Sequence, residues 1–128
     1  MPRSLTSRLG IIVGIALAFT ALLPLSTASA DRGQCPRGYF CAWEDDSFSG
    51  SIMRWEGSDA NWHTGSSHWI ADDAESVFNN GVAVSPDIVR LYLDINYGGY
   101  DLCVRRGDWF DASMDDNDYS SHKWTNAC

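Results

Sequence analysis

The sequence predicts an all-β fold, a sandwich of two four-stranded Greek-key units, on three observations. Trp43, Phe48 and Gly50 recur as Tyr92, Tyr97 and Gly99, an aromatic–x4–aromatic–x–Gly pattern at a constant offset of 49 residues. A repeat at that spacing marks one supersecondary unit used twice. Short runs with apolar or aromatic alternation are separated by turn signals, as strands of a sandwich or barrel require. Beyond residue 30 no long stretch keeps the 3.6-residue apolar period of a helix.

The elements follow in order. Gly38 to Glu44 carries aromatics with apolar alternation, and Ser51 to Trp55 follows the Gly50 turn. Gly50 and Gly99 supply the positive φ that a tight hairpin needs, and the aromatics cover the bend. Ser76 to Phe78 runs into Asn79, Asn80 and Gly81, a strong turn signal. Ser85, Pro86 and Asp87 break the pattern, so Gly81 to Asp87 reads as the connector between units. Ile88 to Leu93 alternates, Tyr100 to Val104 follows the Gly99 turn, and Lys123 to Thr125 suits a last strand. The first key is expected at about 35–80 and the second at about 88–128, each supplying four strands around one shared core.

Residues 1–30 are read apart from this fold. Arg3 and Arg8 make a basic start, Ile11 to Leu25 is apolar, and Ala28, Ser29 and Ala30 have the form of a cleavage site. These are the marks of a secretory signal peptide, so the mature domain is expected at 31–128, secreted and free of membrane. All 17 acidic residues fall in that part, and seven of the nine basic ones, for a net charge of −10. Such a surface repels phosphate backbones and disfavours nucleic acid as a partner.

Cys35, Cys41, Cys103 and Cys128 all lie in the mature part, and an even count in a small exported domain reads as two disulfides. Of the three possible connectivities, Cys35–Cys41 with Cys103–Cys128 is favoured. The first closes a local loop around Pro36 and Gly38; the second ties the chain end to a strand of the second repeat. A zinc site is the rival, but there is no C-x2-C pair.

With its paired aromatic hairpins, the chain resembles the βγ-crystallin superfamily. That family also carries an acidic or amide pair, two variable residues, a hydroxyl residue and then Ser. Asp116, Asn117, Ser120 and Ser121 match; the first half matches in part, with Ala71 in the first position and Glu75 in the hydroxyl position. Within the superfamily it is most similar to the bacterial secreted peptidase inhibitors of family thirty-six, of the Streptomyces metalloproteinase inhibitor type. The shared marks are the Cys35-Pro36-x-Gly38-x-x-Cys41 opening, Asp94 with Asn96 to Gly99, the Ser120, Ser121, His122, Trp124 ending and the late cysteine.

That resemblance implies an inhibitor of an extracellular protease, a zinc metalloprotease, acting as a monomer by filling the cleft and doing no chemistry of its own. The type inhibitor presents a Cys–Val bond on a loop tied by a short-range disulfide, and Cys103-Val104 offers the same dipeptide. No second cysteine lies close to Cys103, so pairing with Cys128 would make Val104 an ordinary strand residue. The resemblance also implies calcium between the keys, at Asp116, Asn117, Asp118 and Ser120, with Asp72, Asp73 and Glu75 as the weaker set; a solvated acidic loop is the plain alternative. The alternative functions are a calcium-binding module and a killer-toxin-like, wall-directed protein. The latter would stack sugars on Trp55, Trp62, Trp69, Trp109 or Trp124, residues that otherwise fill a core.

Enzyme motifs are lacking: there is no H-E-x-x-H, no G-x-S-x-G and no phosphate-binding glycine loop. His63 and His68 read as loop residues with ordinary polar contacts. No cofactor is expected to be required.

Overall fold

The computed structural model describes residues 18, 20–23, 31–111 and 118–128. Most of the expected signal segment, and Asp116 and Asn117 of the residues expected to hold calcium, lie outside the described residues. Among the described residues seven strands form two antiparallel sheets: β1 (Phe40–Asp45), β2 (Ser49–Trp55), β3 (Ser76–Asn79), β4 (Ile88–Tyr92), β5 (Tyr100–Val104), β6 (Trp109–Asp111) and β7 (Ser121–Thr125). One sheet is ordered β2-β1-β3-β6 and the other β5-β4-β7. The fold is all-β, and its only helical elements among the described residues are three short 3-10 turns. Disulfides join Cys35 to Cys41 and Cys103 to Cys128.

The two repeats fold alike, residue for residue. Ser47, Phe48 and Gly50 have φ of 53°, 56° and 75°; Asn96, Tyr97 and Gly99, at the same offset, have 57°, 62° and 62°. A Cβ on Gly50 would meet the Asp45 carboxylate at 2.5 Å, and one on Gly99 the Asp94 carboxylate at 3.1 Å. A serine from the last strand of each key closes the bend. Ser76 Oγ accepts from Phe48 N (3.1 Å) and donates to Asp45 O (2.8 Å). Ser121 Oγ accepts from Tyr97 N (3.2 Å) and donates to Asp94 O (2.6 Å). Trp43 packs on Phe48 at 5.3 Å and Tyr92 on Tyr97 at 5.5 Å, so each aromatic pair covers its own hairpin.

The keys exchange an edge. β6 leaves the second key to pair with β3, placing Val77 opposite Phe110. In return the first key reaches β7 through Asp59, which bridges His122. The fourth strand expected of the first key is reduced to that bridge. Its segment is rich in turn formers, and Asp59 Oδ1 takes the Asn61 amide at 3.0 Å, a local bond that competes with a ladder. β6 lacks a sequence signal because three residues show no alternation. β1 is central and buried on both faces: Phe40 and Ala42 face the shared core with Val89, Leu91 and Val104, while Cys41 and Trp43 face a smaller cluster behind it.

His122 sits fully buried where the keys meet, with ring centroids 4.9 Å from Phe40 and 4.8 Å from Trp55. Trp62 Nε1 donates to its Nδ1 (2.9 Å), which makes Nε2 the protonated nitrogen facing Gly57 O (2.8 Å). Burial pulls its pKa down from 6.5 to about 4, against the raising effects of Gly57 O and the Asp59 charge.

Two predictions follow from these contacts. Ser121→Ala strands Tyr97 N and Asp94 O and lowers unfolding free energy by about 1–3 kcal/mol in urea titrations, whereas exposed Ser51→Ala stays within about 0.5 kcal/mol. Because His122 binds its proton more weakly folded than unfolded, its contribution is complete above the unfolded value of 6.5 and is lost as pH falls towards 4. Wild type therefore loses up to about 3 kcal/mol more across that window than His122→Gln, measured by urea unfolding at several pH values.

Candidate functional site

Of the residues expected to hold calcium, the structure brings Asp72 and Ser120 together. Asp72, held at φ 58°, approaches the residue just before β7 of the other key, where Ser120 Oγ donates to Asp72 Oδ1 at 3.1 Å. The Asp72 amide also bonds Tyr119 O at 3.1 Å. His63 joins them: its Nε2 is 2.9 Å from Ser120 Oγ and 3.6 Å from Asp72 Oδ2. Serine and carboxylate thus share one ring nitrogen, which is not the relay of a nucleophilic triad, where they take opposite nitrogens. Glu75 lies apart, accepting the Asp46 amide at 3.1 Å, beside Asp111, whose carboxylate takes the Ser47 amide. Asp73 and Asp118 are exposed. Among the described residues no three His, Cys, Asp or Glu side chains gather in a metal-binding group.

The Cys103-Val104 bond is not a loop bond. It lies in β5, where Cys103 is opposite Arg90 and Val104 is opposite Val89, with Val104 fully buried. The disulfide partner Cys128 is 25 residues away, so no small ring holds the dipeptide out towards a cleft. The tryptophans do not form a row either. Trp55 and Trp62 stack inside at 4.7 Å, Trp69 and Trp124 pack against the core, and Trp109 is exposed but covered by the Arg32 guanidinium at 4.7 Å.

A third region was legible only as a turn signal. Asn79, at the end of β3, is fully buried and holds the connector at both ends. Its Oδ1 accepts the Gly81 amide (2.9 Å), and its Nδ2 donates to Asp87 O and Val104 O (both 2.9 Å). Its backbone N donates to Asp108 O (3.1 Å), and its carbonyl accepts from Gly107 N (2.8 Å). Asn80 ties the same end to the Cys35–Cys41 loop, donating from Nδ2 to Cys35 O (2.8 Å) and accepting from Gly38 N (2.7 Å). Arg106 and Asp87 pair at 3.6 Å. Between these anchors Val82 to Pro86 is exposed throughout. Beside it lies a cleft of about 360 Å³, whose lining includes Val82, Pro86, Trp124 and Glu56 to Ser58. A hydrogen bond from the Tyr39 hydroxyl to Glu56, one of the lining residues, raises the pKa of that hydroxyl.

The fold and the chain have known counterparts. A beta-gamma-crystallin domain solved in work on the evolution of the eye-lens fold superposes with a TM-score of 0.56 at 17% identity, covering 70% of this chain and 87% of its own. A beta gamma crystallin from Ciona intestinalis gives 0.55 at 20%, covering 69% and 100%. A betagamma-crystallin from an archaeon gives 0.52 at 22%, covering 70% and 99%. No curated protein sequence matches significantly. Disulfides and family membership point to an extracellular protein, and no described helix is long and apolar enough to cross a membrane. Residues 28–104 match the profile of peptidase inhibitor family I36, and the chain, folded as a βγ-crystallin domain, belongs to that family.

Proposed function

We propose that the chain is a secreted inhibitor of an extracellular peptidase, a zinc metalloprotease, which it blocks by occupying the active-site cleft as a monomer. The observation that carries this is the family match over residues 28–104. The scaffold is compatible with it. Two disulfides and a shared core hold the exposed loops in place, so little ordering entropy remains to be lost on binding. The chain supplies shape and hydrogen-bonding groups and leaves the catalytic machinery to its target. Mature protein should abolish thermolysin activity at near-equimolar ratio; unchanged activity across zinc, serine and cysteine peptidases would end this reading.

A second reading is favoured by the approach of Asp72 to Ser120 across the keys. Their oxygens suit a hard cation, and Asp116, Asn117 and Asp118 would complete the donor set in this proposal; His63, a nitrogen base on the same two side chains, competes with it. Calcium bound there would stabilise the folded state by mass action. Millimolar calcium is then expected to raise Tm by a few degrees, with reversal by chelator and loss in Asp72→Asn; an unchanged Tm would contradict it.

A further inference from the structure

We propose that the connector between the keys, 81–86, is the segment this chain inserts into a peptidase cleft, with Val84 as the side chain offered to the specificity pocket. The proposal rests on the inhibitor reading and goes further, naming the loop and the kind of target.

Four observations converge on the connector. Val84 is 70% exposed and Val82 37%, the former the most exposed large apolar side chain described beyond residue 30. A branched aliphatic side chain held in water gains free energy on entering an apolar pocket. The run from Asn80 to Pro86 carries no charge, although the whole chain is −8, so burying it strips water from no ion. Both ends are fixed: Asn79 grips Gly81 and Asp87 through one buried carboxamide, and Asn80 is tied to the disulfide loop. The segment thus enters a complex with much of its ordering already done. Finally, the hollow of about 360 Å³ lies against Val82 and Pro86, so the connector borders open space instead of lying flat on the body.

The other exposed apolar groups lack this combination. Leu93, Ile95 and Tyr100 surround a hairpin whose left-handed backbone at Asn96, Tyr97 and Gly99 folds it onto its own key, whereas the connector turns at Ala83, where Val84 N donates to Val82 O at 2.7 Å, and presents Val84 outward from that turn. Trp109 is capped by Arg32. The target that fits the connector is a peptidase whose pocket accepts a branched aliphatic side chain.

The test titrates the mature protein against thermolysin, subtilisin and trypsin, using wild type, Val84→Ala, Val84→Asp and Ile95→Asp. Tm is measured for each; exposed sites should leave it within a few degrees. Wild type should inhibit a peptidase with an apolar pocket. Val84→Ala should weaken inhibition by about tenfold and Val84→Asp by at least ~30-fold, while Ile95→Asp matches wild type. If Val84→Asp inhibits as well as wild type, the connector assignment is overturned and the inhibitor reading stands. If wild type inhibits no peptidase, both fall.

Discussion

The carboxamide of Asn79 is buried and bonds three backbone groups, the amide of Gly81 and the carbonyls of Asp87 and Val104. It links the end of β3 in the first key to the start and end of the connector and to the end of β5 in the second. A buried amide is stable only when its donors and acceptor are paired, so this geometry is highly constrained. The connector's exposed course is a consequence: its ends are anchored in the joint between keys, and the five residues from Val82 to Pro86 must travel outside.

The joint can be rigid because the two keys are not merely stacked. β6 completes the sheet of the first key, and Asp59 completes the edge of β7. Neither half buries its core alone: Phe40, Trp55 and Val77 from one pack with Val89, Leu91 and Val104 from the other. His122 sits in that seam as a neutral ring, satisfied on both nitrogens and surrounded by aromatics. The hairpins do a different job. Ser76 and Ser121 fasten each bend to the last strand of its own key, fixing the aromatic pairs that cover it.

The hairpins were readable because their requirements are local. A positive φ at Gly50 and Gly99 and an aromatic five residues apart leave a fixed imprint in sequence. The disulfide pairing followed from spacing and the position of the late cysteine. The edge exchange left no imprint, since β6 is three residues long and Asp59 pairs by a single bridge. His122 and Asn79 were opaque for another reason: a lone histidine in a strand and an asparagine before a glycine look like surface residues, and only tertiary partners bury them. The Cys103-Val104 dipeptide alone carries no information about burial; it was the pairing of Cys103 with Cys128 that pointed to Val104 as a strand residue, and both residues lie in β5. Asp72 and Ser120, both among the residues expected to hold calcium, do meet, but nothing in the sequence pattern pointed to His63 between them.

The chain is acidic overall, with a net charge of −8, while the run from Asn80 to Pro86 is neutral, and in the proposed reading that neutral, doubly anchored arch is what an apolar pocket would hold. The central claim is that this arch, and no other face, meets the target. Amide hydrogen exchange of the protein alone and saturated with an inhibited peptidase tests it most directly. The account predicts new protection concentrated on residues 81–86, with the 93–100 hairpin unchanged. Protection confined to that hairpin or to the Trp109 face would contradict it.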